Sequence, residues 1–392
     1  MKFLKNNGFL LENTMKDLEE EISELIKKSS FLVLGAAGTI GKAVTKEIFN
    51  RNPKILHAVD ISENNIVELV RDIRSSAGYI QGEFKSYAIS VGSSEFDAFL
   101  NNSPEYDYVL NLSALKHVRS EKDPFTLMRM TMVNIINNVK ILEKLRETKI
   151  KNYFCVSTDK ATDPINMMGA SKRIMELFMS SESKHQNVGM ARFANVSFSD
   201  GSLLHGFDQR YLLQQPITAP LGIKRYFISQ KDAGCLCLLA TLFGDNNEIF
   251  FPKLDMQKDL VSFKDIATTY VEEKGFKVYQ CSSEAEAREK INDLIPQKYW
   301  PCYFFDSDTT GEKDHEEFWS DGDTLILNKF RSIGIIKQPE INLDKELNLF
   351  LNKIDLLRTN GSWTRAELIV LYKDLLPNFS HSDKGKFLDE RM

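Results

Sequence analysis

One short stretch of the chain places a hydroxyl, a carboxyl and an amine side by side. Thr158, Asp159 and Lys160 follow the apolar segment NYFCVS, and they precede a helical segment in which Met168 and Lys172 share a face. A neighbouring carboxyl and amine can act as acid and base on a bound substrate. A TDK tripeptide alone is more often a turn before a helix. Its place between a strand and a helix favours acid–base chemistry, because ligands of open α/β sheets bind at that edge.

A second group of residues suits the pyrophosphate of a dinucleotide. The turn after an apolar strand, and the helix start that follows it, contain in order Gly35, Gly38, Thr39, Ile40 and Gly41. Small residues let the backbone turn sharply and bring amide groups and the helix N-terminus against the phosphates. We therefore expect residues 31–60 to form the opening strand, turn, helix and second strand of a Rossmann domain.

The end of the second strand favours one of the two nicotinamide dinucleotides. Asp60 lies at about the distance from the turn at which an acid meets the ribose hydroxyls of adenosine. Its charge would repel a 2′-phosphate, and the two residues after it offer no cation. NAD is therefore expected and NADP is less favoured, although Arg71 and Arg74 lie on the following helix.

The elements that must position these groups alternate regularly. From Phe31 onward, short apolar strands (FLVLG, ILHAVD, YDYVLNLS and NYFCVST) are separated by amphipathic segments of helix length. This alternation predicts an α/β fold with a doubly wound parallel sheet. We expect four parts: an N-terminal helical arm (1–29), a Rossmann domain that binds NAD (30–200), a smaller substrate-binding lobe (201–274) and an appended C-terminal α/β region (275–392).

Composition and charge argue against several classes of protein. The 392 residues carry a formal net charge of −5 with a pI near 5.8, without the basic stripe that follows a nucleic acid backbone. The five cysteines form no CxxC pair or Cys/His ligand set, which predicts reduced thiols and no structural metal. The longest apolar run, Cys235–Phe243, is too short to cross a bilayer, and Met1–Leu11 lacks a signal-peptide core. We expect a soluble, cytoplasmic protein without nucleic acid or membrane partners.

Several motifs together resemble one family. The GxxGxxG spacing is similar to that of the extended short-chain dehydrogenase/reductases. The pattern STDKA…PxNxMGASK, with LSALKHV and RYFIS, resembles the bacterial UDP-N-acetylglucosamine 4,6-dehydratases of surface-polysaccharide, flagellin-glycan and nonulosonic-acid biosynthesis. The resemblance covers about residues 31–265. It implies a lyase that removes water from the hexose while one hydride passes from C4 to NAD and back to C6.

The resemblance also implies roles for single residues. Asp159 would protonate the departing 6-hydroxyl and Lys160 would remove the C5 proton, while Thr158 would hydrogen-bond the oxygen at C4. Lys172 would hold the nicotinamide ribose. By the same match, further cofactor contacts are Ser113, Ala114 and Asn134, and substrate contacts are Lys116, His117, Asn195 and Arg225.

Two positions depart from the family pattern. Most of the superfamily has a tyrosine where this chain has Met168, and a thioether cannot take a hydroxyl proton. The acceptor of the C4 proton stays open between Asp159 and a water held by Thr158 and Lys172. Ser90 stands near the position of an aspartate that contacts adenine in the family. The alternatives are a C4 epimerase or reductase of the same substrates, and a non-catalytic dinucleotide-binding regulator.

The C-terminal region carries no motif with an evident chemistry. Its acidic stretch FDSDTTGEKDHEEF lacks the ligand spacing of a calcium loop and is expected to be a solvated loop. The segment SWTRAELIVLYKDLLPNF opens with a capping residue and has helical apolar periodicity. It predicts a helix used either for subunit contact or for packing over the active-site lobe. A homo-oligomer is the expected assembly.

Overall fold

The computed structural model of the protein describes residues 9–255, 257–306, 313 and 316–381. The strands, in chain order, are β1 (Ser30–Leu34), β2 (Ile55–Asp60), β3 (Glu83–Ala88), β4 (Tyr108–Asn111), β5 (Asn152–Thr158), β6 (Val188–Phe193), β7 (Asn195–Val196), β8 (Ile217–Leu221), β9 (Lys224–Ile228), β10 (Glu248–Pro252), β11 (Leu260–Ser262), β12 (Lys277–Cys281), β13 (Tyr299–Asp306), β14 (Thr324–Ile326) and β15 (Ile333–Lys337).

The α-helices are α1 (Glu12–Asp17), α2 (Glu19–Lys27), α3 (Thr39–Phe49), α4 (Glu63–Ser76), α5 (Ser94–Asn102), α6 (Pro124–Thr131), α7 (Asn137–Leu145), α8 (Met167–Glu182), α9 (Leu203–Leu212), α10 (Gln230–Phe243), α11 (Phe263–Glu273), α12 (Glu284–Leu294), α13 (Asp344–Asn360) and α14 (Arg365–Leu375). Within the described ranges, no helix combines the length and the apolarity that crossing a membrane requires.

A nine-stranded sheet forms the centre of the molecule, in the order β14–β15–β10–β6–β5–β4–β1–β2–β3. The strands from β10 to β3 are parallel, whereas β15 and β14 add antiparallel pairs at one edge. The expected α/β fold with a doubly wound parallel sheet is confirmed. Because β2 and β4 lie on opposite sides of β1, a crevice opens at the carboxyl ends of β1 and β4.

Burial explains why most of these strands are continuous apolar runs. Every residue of β1, β4, β6 and β10 is buried, as expected when helices cover both faces of a parallel sheet. The edge strand β3 is different, because its residues are exposed or only half-buried. All five cysteines are buried with free thiols, which agrees with the reduced state expected from the sequence.

Two small sheets accompany the main one. One has the order β11–β9–β7, and the other has the order β12–β13–β8 with parallel pairing. A separate apolar core joins β8 and α11 to β13, with Trp300 and Phe304 from the last of these. The part of the chain expected to bind substrate therefore shares its core with strands that follow residue 275.

The last two helices pack on helices of the Rossmann domain. Helix α14 contacts α6 and α8, and its apolar side lies in a core with Leu127 and Ile174. The hydroxyl of Tyr372 in α14 forms a 2.8 Å hydrogen bond with Thr131 Oγ1. The helix expected in this segment is confirmed, and its capping box involves Thr364 and Glu367. Its apolar side is buried within the chain.

Removing the Tyr372 side chain tests this packing. The residue is fully buried, so Tyr372→Ala should lower the free energy of unfolding by about 3–5 kcal/mol through the cavity it leaves. Tyr372→Phe keeps the ring and should cost about 1 kcal/mol, the value of one hydrogen bond. Urea denaturation of both variants measures the difference. Equal, small losses would contradict a shared core between α14 and the Rossmann helices.

Candidate active site

A cavity of about 490 Å³ opens at the carboxyl ends of the central strands. Its walls come from the turn after β1, the segment after β4, the ends of β5 and β6, and the loop before α9. The predicted site residues that line it are Gly35, Gly38, Thr39, Ile40, Gly41, Ala114, Lys116, His117, Thr158, Asp159, Lys160, Met168, Lys172, Asn195 and Arg225. Sequence positions that are far apart in the chain are thus brought to one cavity.

The glycine turn has the close approaches that its residue types imply. Gly35 has a φ of +72°, and its amide donates to Val59 O at 2.8 Å. A Cβ at Gly41 would lie 2.1 Å from Gly35 O, so only glycine fits there. At Gly38, which precedes α3, the nearest atom to a Cβ is 3.5 Å away. The turn is therefore tight beneath the helix and open at its N-terminus, as a pyrophosphate requires.

Asp60 ends β2 beside this turn but is not among the residues that line the cavity. Its carboxylate accepts hydrogen bonds from Ala37 N and Ser62 N, both at 2.9 Å. These contacts stabilise the turn that would hold the phosphates. The role of Asp60 as a ribose ligand stays a prediction.

Two other predicted cofactor contacts lie behind the cavity wall. The Asn134 side chain hydrogen-bonds both backbone groups of Leu115, at 2.9 and 3.0 Å, and donates to Ser171 Oγ at 2.9 Å. The backbone amide of Ser113 lies close beneath Gly35, 2.8 Å from where a Cβ would be. In this structure Asn134 positions the loop that carries Ala114, and contact of Asn134 and Ser113 with a cofactor stays a prediction.

The candidate acid and base form a short turn at the end of β5. Asp159 Oδ1 accepts hydrogen bonds from Thr158 Oγ1 at 2.8 Å, from the Lys160 amide at 2.9 Å and from Lys160 Nζ at 3.0 Å. The turn is a single 3₁₀ helix over Asp159–Ala161. The ammonium group and the carboxylate are therefore in direct contact at the cavity wall.

Helix α8 brings two further predicted residues to the same wall. Its first turn is capped by Asn166, whose Oδ1 accepts from Gly169 N at 2.8 Å. Lys172 Nζ donates to the Val156 carbonyl at 2.9 Å, and burial lowers the pKa of Lys172. Met168 is 4% exposed and contributes an apolar surface to the cavity.

The predicted substrate contacts line the same cavity. Burial lowers the pKa of Lys116, and the charge of Asp200 opposes that effect. Asn195 begins β7, and its Nδ2 is buried without a hydrogen-bond partner in the described part of the chain. Arg225 in β9 is buried and donates to Lys224 O at 2.8 Å. Polar donors thus line the side where a nucleotide sugar is expected.

Two acidic residues that line the cavity were not predicted from the sequence. Asp200 accepts a 3.1 Å hydrogen bond from Thr39 Oγ1 and joins the loop before α9 to the glycine turn. Glu316 comes from the acidic stretch that was expected to be solvated, and this expectation is wrong for Glu316, which is 3% exposed. Residues 307–312 and 314–315 of that stretch lie outside the described residues.

A family model for polysaccharide biosynthesis proteins matches residues 31–338. The chain belongs to this family of extended short-chain dehydrogenase/reductase nucleotide-sugar enzymes. The membership expected from the motifs is confirmed, and the matched range extends beyond the segment on which the motifs were recognised. It includes Glu316 and the strands β12–β15.

The chain is similar in sequence to proteins from several organisms. The chain is 26% identical to the UDP-N-acetylglucosamine 4,6-dehydratase (inverting) of Campylobacter jejuni over 60% of its own length and 70% of that protein. It is 28% identical to the uncharacterized membrane protein MJ1061 of Methanocaldococcus jannaschii, over 81% and 98% of the two chains. The capsular polysaccharide biosynthesis protein CapD of Staphylococcus aureus is 28% identical over 92% of this chain, which spans 53% of CapD.

Solved structures show the same fold. Pen from Bacillus thuringiensis superposes with a TM-score of 0.65 at 21% identity, over 83% of this chain and 98% of Pen. DesIV, a dTDP-glucose 4,6-dehydratase from Streptomyces venezuelae solved with NAD, superposes with a TM-score of 0.58 at 14% identity, over 86% and 98% of the two chains.

Gly41→Ala tests the packing of the turn. The added Cβ would overlap Gly35 O, so the variant should lose about 1–3 kcal/mol of unfolding free energy in urea denaturation. The matched control is Gly206→Ala in α9, where no atom beyond the chain neighbours and the local helix backbone lies within 4 Å of the new Cβ among the described residues. That variant should keep or slightly raise stability. A Gly41→Ala variant as stable as the control would contradict the tight turn.

Proposed function

We propose that this protein is an NAD-dependent nucleotide-sugar 4,6-dehydratase that converts UDP-N-acetylglucosamine, or a close relative, to a 4-keto-6-deoxy sugar. The observation that carries the proposal is the 3.0 Å contact between Lys160 Nζ and Asp159 Oδ1 inside the cavity. An elimination needs an acid and a base that act on adjacent carbons, and this pair supplies both groups. The relative from Campylobacter jejuni is named for the same reaction.

The residues of the glycine turn fit NAD. The open N-terminus of α3 at Gly38 offers backbone amides to the pyrophosphate, and Asp60 beside the turn disfavours a 2′-phosphate. When bound, NAD supplies the hydride acceptor and donor that an internal redox cycle requires. Lys172 would hold the nicotinamide ribose from the end of β5, where its Nζ contacts Val156 O.

A single proton transfer within the pair would prepare it for elimination. Lys160 can remove the C5 proton only as a neutral amine, and Asp159 can protonate the departing 6-hydroxyl only as a carboxylic acid. Moving one proton from Lys160 Nζ to Asp159 Oδ1 along their hydrogen bond creates both forms at once. After the C6–O bond breaks, the 6-hydroxyl leaves as water with the Asp159 proton. Lys160 returns its proton to C5, and the proton that a water took from the C4 hydroxyl then restores the Lys160 ammonium group.

We assign Thr158 the hydrogen bond to the substrate oxygen at C4. Its hydroxyl lies at the cavity and donates its proton to Asp159 at 2.8 Å, so it can accept a hydrogen bond from the C4 hydroxyl. It can donate to the C4 oxygen only when the bond to Asp159 is released. Met168 has no group that exchanges protons. If the transfer from Lys160 has already protonated Asp159, a water held by Thr158 and Lys172 accepts the C4 hydroxyl proton. If Asp159 accepts that proton instead, it becomes the carboxylic acid directly, and Lys160 must already be a neutral amine.

Turnover in deuterated water tests the proposal. Purified protein is incubated with UDP-N-acetylglucosamine in D₂O and the sugar is followed by NMR. We expect a 4-keto-6-deoxy product with deuterium at C5, because the C5 proton passes through an exchangeable lysine. A changed configuration at C4 without loss of the 6-hydroxyl would support the epimerase alternative. Absence of turnover with any nucleotide sugar would leave the dinucleotide-binding regulator.

Lys160→Met tests the role of the base. Removing the amine should lower the turnover number by about 10²- to 10⁴-fold, the usual contribution of general base catalysis. The matched control is Lys122→Met, because Lys122 lies on the surface and does not line the cavity. Its turnover number should match that of the wild type. If the turnover number of Lys160→Met lay within tenfold of that of the control, Lys160 would not be the base.

A further inference from the structure

The cavity contains an acidic residue that none of the roles above uses. Glu316 lines the cavity beside the proposed acid–base pair. Its Oε1 is 3.9 Å from Lys160 Nζ and 4.0 Å from Arg225 Nη2. Both distances are within ion-pair range but exceed a hydrogen bond. The carboxyl group therefore lies between two cations without being hydrogen-bonded to either.

The other carboxyl oxygen of Glu316 also lacks a hydrogen bond from the described residues. Oε2 is buried and has no hydrogen-bond partner among residues 9–255, 257–306, 313 and 316–381. Burial raises the pKa of Glu316, and the charge of Lys160 opposes that effect. Buried polar atoms are nearly always hydrogen-bonded in native proteins, so a carboxyl group that lines a cavity and has no hydrogen bond from the described residues indicates a contact that a ligand completes at its cavity side.

The segment that carries Glu316 is tied to the catalytic turn. Lys313 Nζ donates to the Thr162 carbonyl at 3.0 Å, and Ser320 Oγ donates to Asp163 Oδ2 at 3.0 Å. Thr162 and Asp163 directly follow the turn at Asp159–Ala161. These contacts, one on each side of Glu316 in the chain, hold the carboxyl group against the cavity.

A third contact, at Phe318, lies between Lys313 and Ser320 in the chain. The Phe318 carbonyl accepts a 2.7 Å hydrogen bond from the buried guanidinium of Arg192. The Phe318 ring stacks on Phe251 with a centroid distance of 5.8 Å. The residue two positions after Glu316 is therefore packed in the buried core, which supports the segment beside the cavity.

We propose that Glu316 binds the substrate, with its carboxyl group accepting a hydrogen bond from a hydroxyl or an amide N–H of the hexose. This inference rests on the proposed function. A sugar group is the suitable partner because it is a neutral donor, whereas the carboxylate would repel a phosphate. The contact lies beside Lys160, so it falls on the part of the ring that undergoes elimination.

Glu316→Gln, measured with two ligands, tests this assignment. KM and kcat for UDP-N-acetylglucosamine are measured by NMR, and UDP, which has no hexose, is measured as a competitive inhibitor. We expect the KM to rise about tenfold, because a hydrogen bond to a charged group is replaced by a weaker neutral one. The inhibition constant of UDP and kcat should change less than twofold.

Glu317→Gln is the matched control. It removes the same charge from the next residue of the same segment, whose side chain is exposed, and it should leave all three constants unchanged. An unchanged KM in Glu316→Gln would overturn the proposal. So would an equal loss of UDP binding, which indicates a structural role, or a large fall in kcat at constant KM, which indicates a role in chemistry alone.

Calorimetry keeps this test separate from that of the proposed function. If the wild type binds UDP-N-acetylglucosamine but does not dehydrate it, the proposed reaction fails, and the affinities of the two variants still decide the role of Glu316. If the wild type binds UDP and no UDP-hexose, both proposals are overturned. Comparing UDP-glucose with UDP-N-acetylglucosamine identifies the hydrogen-bond donor of the sugar. If Glu316→Gln loses affinity for UDP-N-acetylglucosamine only, the donor is the amide N–H.

Discussion

The site depends on one buried ion pair. Glu176 of α8 receives hydrogen bonds from Arg192 of β6 at 2.9 and 2.8 Å, and from Ser157 Oγ at 2.6 Å. Burial alone would raise the pKa of Glu176, but the charge and hydrogen bonds of Arg192 lower it to about 2. A buried charge that loses its partner costs about 3–5 kcal/mol, so the pair holds β5, β6 and α8 in fixed relation.

The groups proposed for chemistry are placed by this pair. Ser157 immediately precedes Thr158, Asp159 and Lys160, and its hydroxyl is bound to Glu176. The same Arg192 binds the Phe318 carbonyl and so fixes the segment that delivers Glu316. One guanidinium thus connects the acid–base turn to a residue that lies more than a hundred positions away in sequence.

Much of this arrangement could be predicted because it is local in sequence. The glycine turn, the strand before Asp159 and the helix that carries Lys172 each have their own pattern of apolar and small residues, and all three were recognised. The edge strand β3 was not among the strands recognised by composition. It is only partly buried, so its residues EFKSYA have no apolar run.

Contacts between distant segments were beyond prediction. Glu316 lies in an acidic stretch, and composition alone favours a solvated loop; only the tertiary contacts of its neighbours bury it. The bond between Thr39 and Asp200 likewise joins residues that lie 161 positions apart in the chain. Asp60 and Asn134 were predicted from motifs, but no sequence spacing shows that Asp60 hydrogen-bonds the backbone of the glycine turn or that Asn134 hydrogen-bonds the backbone of Leu115.

The most direct test of the proposed internal dehydration follows the hydrogen at C4 of the sugar. UDP-N-acetylglucosamine labelled with deuterium at C4 is converted in ordinary water, and the label is located in the sugar by NMR. An internal 4,6-dehydration moves the label from C4 to the new methyl group at C6, so we expect one deuterium there. A label that returns to C4, or that is lost to the solvent, would contradict the account.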